Sequence, residues 1–183
     1  MVITDHNTIA GAVAAQKLDP ERVIIGEEIL TQRGELLAAF VSETIPAGLP
    51  PREAITRLRE QGAFISVSHP FDQLRIGHWA LPDLLEILPL VDAIETLNAR
   101  CLLRSANREA TAFASEHGLT VTVGSDAHTA MELGNAKMIL PDLHDAESLK
   151  TALREARHSL TVAPFWVYFA TRYAVLKKKG SKS

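Results

Sequence analysis

Leu119-Thr120-Val121-Thr122-Val123-Gly124-Ser125-Asp126-Ala127-His128 is an apolar, β-type run that stops on a glycine and places an aspartate and a histidine on the turn that follows. Four other runs along the chain end in the same manner: Ile3-Thr4-Asp5-His6, Ile24-Ile25-Gly26-Glu27-Glu28, Val67-Ser68-His69-Pro70 and Ile94-Glu95-Thr96-Leu97-Asn98. Helical patterns separate them, and strand–helix alternation is the signature of a mostly parallel α/β domain. In an α/β barrel the parallel strands all point one way, so residues just beyond their C-terminal ends converge on one rim. Several histidines and carboxylates meeting there would form a metal site.

Working outward, residues 1–5 read as a strand and Thr8 to Leu18 as a helix, with Asn7 or Thr8 available as its N-cap. Arg22 to Leu30 and Glu35 to Val41 flank the turn Gln32-Arg33-Gly34, which predicts a hairpin. Pro50-Pro51 opens a helix that Gly62 ends after Gln61. Ala63 to Val67, Val91 to Thr96 and Leu119 to Val123 read as buried-type strands. Pro82 to Leu88 and Leu102 to His117 read as helices, the second closed by Gly118. A strand over Ala136 to Leu140 and a helix over Asp145 to Arg157 complete the pattern.

The bulk numbers bound the function. The chain has 183 residues, enough for one sizeable core but short of the roughly 250 of a complete eight-unit barrel. A net charge of −3 argues against nucleic-acid binding driven by broad basic character. The single cysteine, Cys101, excludes an internal disulfide framework and a multi-cysteine zinc site, and it fits a reducing cytoplasm. Met1 to His6 has neither the basic start nor the long apolar core of a signal peptide. The chain starts inside a strand, which predicts barrel elements upstream of it. Leu160 to Leu176 is apolar and aromatic and precedes Lys177-Lys178-Lys179. With Pro164 and Arg172 inside it, this run is too short and too interrupted for a membrane span. It reads as a terminal helix and basic tail over 164–183, set apart from a domain over 1–163, with a membrane-surface anchor as the alternative.

The strand endings carry the chemistry. His6 and His69 can each offer an imidazole nitrogen to a cation, with a neighbouring carboxylate or carbonyl fixing the tautomer. Strand alternation sends Glu27 and Glu28 to opposite sides, one toward the rim and the other to the surface. Asp126 and His128, two apart on an irregular turn, can both face inward and reach separate ions. Asn98 could be an oxygen ligand or a substrate contact, and Arg100 could hold a phosphate through its two-pronged guanidinium. The remaining histidines, at 78, 117, 144 and 158, read as surface residues.

Taken together, Thr4-Asp5-His6-Asn7-Thr8-Ile9-Ala10-Gly11, Gly26-Glu27-Glu28-Ile29, Ser68-His69-Pro70 and Gly124-Ser125-Asp126-Ala127-His128 resemble the PHP (polymerase and histidinol phosphatase) family, in order, over residues 3 to 140. Within the family, the resemblance is closest to the stand-alone bacterial metal-dependent phosphoesterases. It implies a distorted (β/α)7-type barrel, here incomplete at its N-terminus, and up to three divalent metals, Mn, Zn or Fe. By motif, His6 and His128 would share one outer metal, Glu28 would bridge the other two, and His69 and Asp126 would each bind one of that pair. Glu28 and Asp126 are thereby the candidate catalytic carboxylates, with Arg100 and Asn98 the candidate substrate contacts. Asn98 stands where many relatives carry a further histidine, and the family's opening His-x-His strand is not within this chain.

The expected activity is hydrolysis of phosphate esters by water that the metals activate, on a phosphorylated small molecule, a nucleotide or a short RNA end. The alternative is a catalytically impaired PHP fragment acting as an interaction or regulatory module. A domain cut from a polymerase is a weaker reading, because nothing after residue 145 resembles the start of a polymerase module.

Overall fold

The computed structural model describes residues 1–161 of the 183. The apolar segment and basic tail expected over 164–183, and the boundary before them, lie outside the described residues. Along the chain run β1 (Val2–Ile3), α1 (Ala10–Leu18), β2 (Ile24–Leu30), β3 (Glu35–Ala39), α2 (Pro51–Glu60), β4 (Phe64–Val67), α3 (Leu81–Ile87), β5 (Ala93–Asn98), α4 (Arg104–Glu116), β6 (Val121–Gly124), β7 (Ala136–Ile139), α5 (Ala146–Leu153) and β8 (Arg157–Leu160).

The first six strands form one sheet in sequence order, curled into a half-barrel, and β7 and β8 form a separate antiparallel pair. β1 pairs parallel with β2, and β4, β5 and β6 pair parallel with one another. β3 is antiparallel to both its neighbours, β2 and β4. Two reversals restore the direction, so β1, β2, β4, β5 and β6 all point the same way. These are the five strands whose endings carry His, Asp or Glu, and their C-terminal ends share one rim.

The helices form where the punctuation predicts. Pro51 occupies the first turn of α2, and Gly62, at φ 72°, ends it in a conformation that costs glycine little. Gly118, at φ 62°, does the same after α4. α4 buries Ala106, Ala110, Phe113 and Ala114, an i, i+4, i+7, i+8 stripe laid against the sheet. The main core joins Ile29, Leu36, Ile65 and Ile94 of the sheet to Ile55 and Leu58 of α2, Leu84 and Ile87 of α3, and Phe113. A second cluster packs Ala146, Leu149 and Leu153 of α5 onto Ala39, Phe64 and Ala93. Those three residues end β3 and start β4 and β5, so α5 covers the end of the sheet opposite the rim.

Two expectations need correction. The helix predicted to run to Arg157 stops at Leu153, and Arg157–Leu160 is a strand paired with β7. The carboxylate of Asp145 accepts the Ser148 amide proton and starts α5 firmly, whereas its far end carries no glycine or proline to mark the stop. The helix expected from Thr8 begins at Ala10. Thr8 Oγ1 accepts the Ala10 amide, while Asn7, at φ 54°, turns its side chain away to accept the Leu30 amide at 2.8 Å. No helix among the described residues is long and apolar enough to cross a membrane.

Candidate metal centre

Glu28 lies at the middle of the rim. Alternation along β2 turns it inward, where its Oε1 accepts the Ser68 hydroxyl at 2.8 Å and stands 3.3 Å from His69 Nε2. Its Oε2 is 3.0 Å from His6 Nδ1. His6 arrives on the segment after β1, which continues the parallel pairing through a bridge to Glu28 and leaves the imidazole 47% exposed. Burial alone would raise the Glu28 pKa, but His69, His6 and Ser68 outweigh it and hold the carboxyl well below the usual range. Glu27 was expected at the surface and is instead fully buried. The segment after β3 folds over it, and its Oε2 accepts the Ile45 amide at 2.9 Å, while desolvation raises its pKa.

His69 follows β4 with its backbone at φ 21°, a sparsely populated conformation that turns the ring inward. The imidazole is wholly buried. Its Nε2 sits 3.1 Å from Glu35 Oε2, yet neither ring nitrogen has a hydrogen-bond partner. Burial pulls the imidazole pKa down, and Glu28, Glu35 and Glu95 together push it above its ordinary value.

Glu35 was missed by sequence reasoning. A search for strand endings overlooks it because it opens β3, and the reversed strand brings its first residue to the rim that its neighbours reach with their last. The register Leu30↔Glu35 is the signal that would have found it. Its backbone oxygen accepts the Trp79 indole N–H at 3.0 Å, and its carboxylate fills the space over Gly77, where a Cβ would come within 2.1 Å of Oε2.

On the far side, Asp126 sits at φ 49° on the turn after β6. Its Oδ2 pairs with Nη2 of Arg75, from the segment after β4, and accepts the Asn98 side-chain amide at 3.3 Å. His128 Nδ1 is 3.4 Å from Asp126 Oδ1, and the His128 and His6 rings lie 5.6 Å apart, centroid to centroid. The same Asn98 amide donates to Glu95, whose other contact is the His69 backbone N–H at 3.0 Å. Full burial pushes the Glu95 pKa up to about 7. Arg100 is only 5% exposed, with Nε 3.2 Å from Oε1 of the fully buried Glu132. Glu132 Oε2 in turn accepts the His128 amide and the Thr129 hydroxyl, so this pair braces the loop that carries His128.

The structure thus brings His6, Glu28, His69, Asp126 and His128 onto one rim, adds Glu35, and turns Arg100 toward Glu132. His6, Glu28 and Glu35 each offer one ligand atom, all within 4.8 Å of one another. The wholly buried His69 imidazole stands within 3.3 Å of two carboxylates without a well-aligned hydrogen bond to either, a donor set that could hold a divalent cation. Imidazole and carboxylate donors suit Mn, Zn or Fe.

The chain is similar to several known proteins. Residues 104–158 match the family model described as PHP-associated. An uncharacterised protein of Methanocaldococcus jannaschii is 38% identical over 145 residues, which is 78% of this chain and 58% of that protein. A second uncharacterised protein of the same organism is 42% identical over 102 residues, 54% of this chain and 57% of that one. The chain therefore spans under three fifths of the curated relatives it matches. Among solved structures, PsfC from Pseudomonas syringae PB-5123 superposes with a TM-score of 0.57 at 20% identity, over 86% of this chain and 64% of its own. A candidate metal-dependent phosphoesterase from Bifidobacterium adolescentis gives 0.56 at 15% identity, over 84% of each chain. At these identities the two structures speak to the fold.

Proposed function

We propose that this chain, whose residues 104–158 match the PHP-associated family model, is a PHP-family protein and that its rim is a divalent-metal site that hydrolyses phosphate esters. The observation that carries the reading is the buried His69 imidazole, held by Glu28 and Glu35 with no hydrogen-bond partner, on the rim where His6, Asp126 and His128 also gather. The half-barrel is then part of a seven-unit β/α barrel, and the single cysteine fits a cytoplasmic enzyme.

His6, Glu28, Glu35 and His69 would hold metal on one side of the rim, and Asp126 and His128 on the other. Bound there, the metals would lower the pKa of water and neutralise charge on the phosphate oxygens. The chain's own residues set the geometry. Ser68 fixes the Glu28 carboxylate with its hydroxyl, so that both oxygens face the imidazoles. Asn98 spans Glu95 and Asp126 and keeps the two carboxyls in register; with its amide donating to both and the residue buried, it acts on the rim carboxylates and not on substrate directly. Arg100 acts through Glu132 on the His128 loop. Glu28 and Asp126 are the carboxylates on which turnover depends. The substrate is a phosphorylated small molecule, a nucleotide or a short RNA end.

The test is phosphatase activity across such substrates before and after chelation, with Mn or Zn added back. Loss on chelation and recovery with metal is expected. Activity indifferent to chelator would overturn the reading. Stoichiometric metal without turnover on any phosphate ester would favour the non-catalytic interaction module.

A further inference from the structure

Arg75 reaches into the rim alongside its carboxylates from mid-loop, without belonging to any strand ending. Its backbone hangs from His69 by two successive turns: the Asp72 amide donates to the His69 carbonyl at 3.1 Å, and the Arg75 amide to the Asp72 carbonyl at 2.9 Å. Trp79 closes the loop by donating its amide to the Pro70 carbonyl at 3.0 Å. The position of Arg75 is therefore set by the segment that places His69.

Its side chain is 19% exposed and faces acid on several sides. Nη2 pairs with Asp126 Oδ2, Nε lies 3.5 Å from Asp72 Oδ2, and Glu28 adds its field from across the rim. Nη1 has no hydrogen-bond partner among the described residues. A guanidinium beside Asp126 occupies the place that a cation on that carboxylate would take. If Asp126 were given over to metal, the planar fork would be freed from that carboxylate while Nε stayed beside Asp72 and the side chain partly open to solvent. That is the arrangement suited to two non-bridging phosphate oxygens.

We propose that Arg75 is the phosphate grip of this site and that, without metal, it stands in for the cation on Asp126. The proposal rests on the phosphoesterase reading above and adds the group that recognises the phosphoryl end. It also assigns a competition: metal and guanidinium share one carboxylate, so removing Arg75 strengthens metal binding while weakening phosphate binding.

The experiment is calorimetric titration of the full chain with Mn²⁺ alone, then of the Mn-loaded protein with inorganic phosphate. It compares wild type with Arg75→Ala, Arg75→Lys and Asp126→Asn, each first shown to unfold cooperatively. Arg75→Ala should bind Mn²⁺ at least about threefold tighter and phosphate at least about tenfold weaker, a loss of about 1.4 kcal/mol. Arg75→Lys should recover part of the phosphate affinity, because it keeps the charge and loses the fork. Asp126→Asn should lose Mn²⁺ affinity. Unchanged or weaker Mn²⁺ binding by Arg75→Ala would make Arg75 a structural brace and overturn the stand-in. Unchanged phosphate binding would overturn the grip. Should Arg75→Ala fail to fold, Arg75→Lys carries the test, and phosphate affinity equal to wild type would overturn the grip. If wild type binds Mn²⁺ but no phosphate, the phosphoesterase reading itself fails, and the grip falls with it.

Discussion

At the scale of single residues, the rim couples carboxylates to imidazoles, so its charge follows pH. The His69 pKa lies above its unfolded value, so the imidazolium–carboxylate contact stabilises the metal-free protein at and below neutral pH, and that stabilisation is lost as pH rises through the raised value. The Glu28 pKa lies below its unfolded value, so its contribution is present above the ordinary carboxylate range and is lost in acid. A metal ligand must be a neutral ring, so binding releases a proton and affinity should climb as pH rises from neutral toward about 10, the raised His69 value. Titrations in two buffers of different ionisation enthalpy would count the proton, and a pH-independent affinity with no proton released would contradict the assignment of His69. Glu35→Gln should cost metal affinity by about tenfold or more, as loss of a charged ligand or close neighbour does; elemental analysis after dialysis would show whether occupancy falls. Much of this centre was legible. His6, His69, Asp126 and His128 follow strand endings, and strand alternation turns Glu28, inside β2, to the same edge. Glu35 and Arg75 escaped because one opens a reversed strand and the other sits in mid-loop, where no periodicity points. Glu27 looked like a surface charge because nothing in its own strand announces the segment that covers it.

At the scale of elements, the loops are tied to each other as firmly as the strands are. Glu132 links the loop after β6 to Arg100 after β5, with neither side chain appreciably exposed. Glu132→Ala would remove a fully buried carboxylate beside Arg100 together with the acceptor of the His128 amide, which is expected to cost about 1–3 kcal/mol in chemical denaturation. Metal affinity should drop with it, because the His128 amide loses its acceptor. Glu132→Gln, which keeps that acceptor, should retain more of both, and equal behaviour of the two variants would argue against the brace. A glycine does comparable work on β6. A Cβ on Gly124 would stand 2.1 Å from Glu95 Oε1, so Gly124→Ala must push aside the carboxyl that holds the His69 amide. A loss of about 1–3 kcal/mol is expected, read from the denaturation midpoint. The hairpin of β2 and β3 could be read directly, because Gln32-Arg33-Gly34 marks its turn. β8 could not, because Arg157-His158-Ser159-Leu160 has little apolar character and continues a helical pattern without a break.

At the scale of the whole molecule, the sheet has two unlike margins. β1 is two residues long, and all four residues of β6 are only partly buried, although strands inside a covered α/β sheet are ordinarily buried on both faces. The half-barrel is thus least sealed at the margins that carry His6 on one side and Asp126 and His128 on the other. A cation gripped from both would tie them together, so Mn²⁺ at 100 times its dissociation constant should add about 2.7 kcal/mol of stability. A scan of unfolding temperature against metal concentration would show it, and a flat line would mean that the folded chain does not bind Mn²⁺.

The reversed strand has one more consequence, which lies in time. Glu28 and Glu35 are neighbours along one hairpin, seven positions apart, and a hairpin closes in microseconds. The other partners come from far away in the sequence: Ser68 reaches Glu28 across 40 residues, and Arg75 meets Asp126 across 51. Early in folding the chain therefore presents two carboxylates and no imidazole, a weak cation trap, and the nitrogen donors gather only after the long-range closures. Interactions completed after the rate-limiting step alter how slowly a protein comes apart, with little effect on how fast it forms. Metal should accordingly leave the refolding rate of this chain almost untouched and lengthen the lifetime of the folded state, so that the cation acts as a lock turned last.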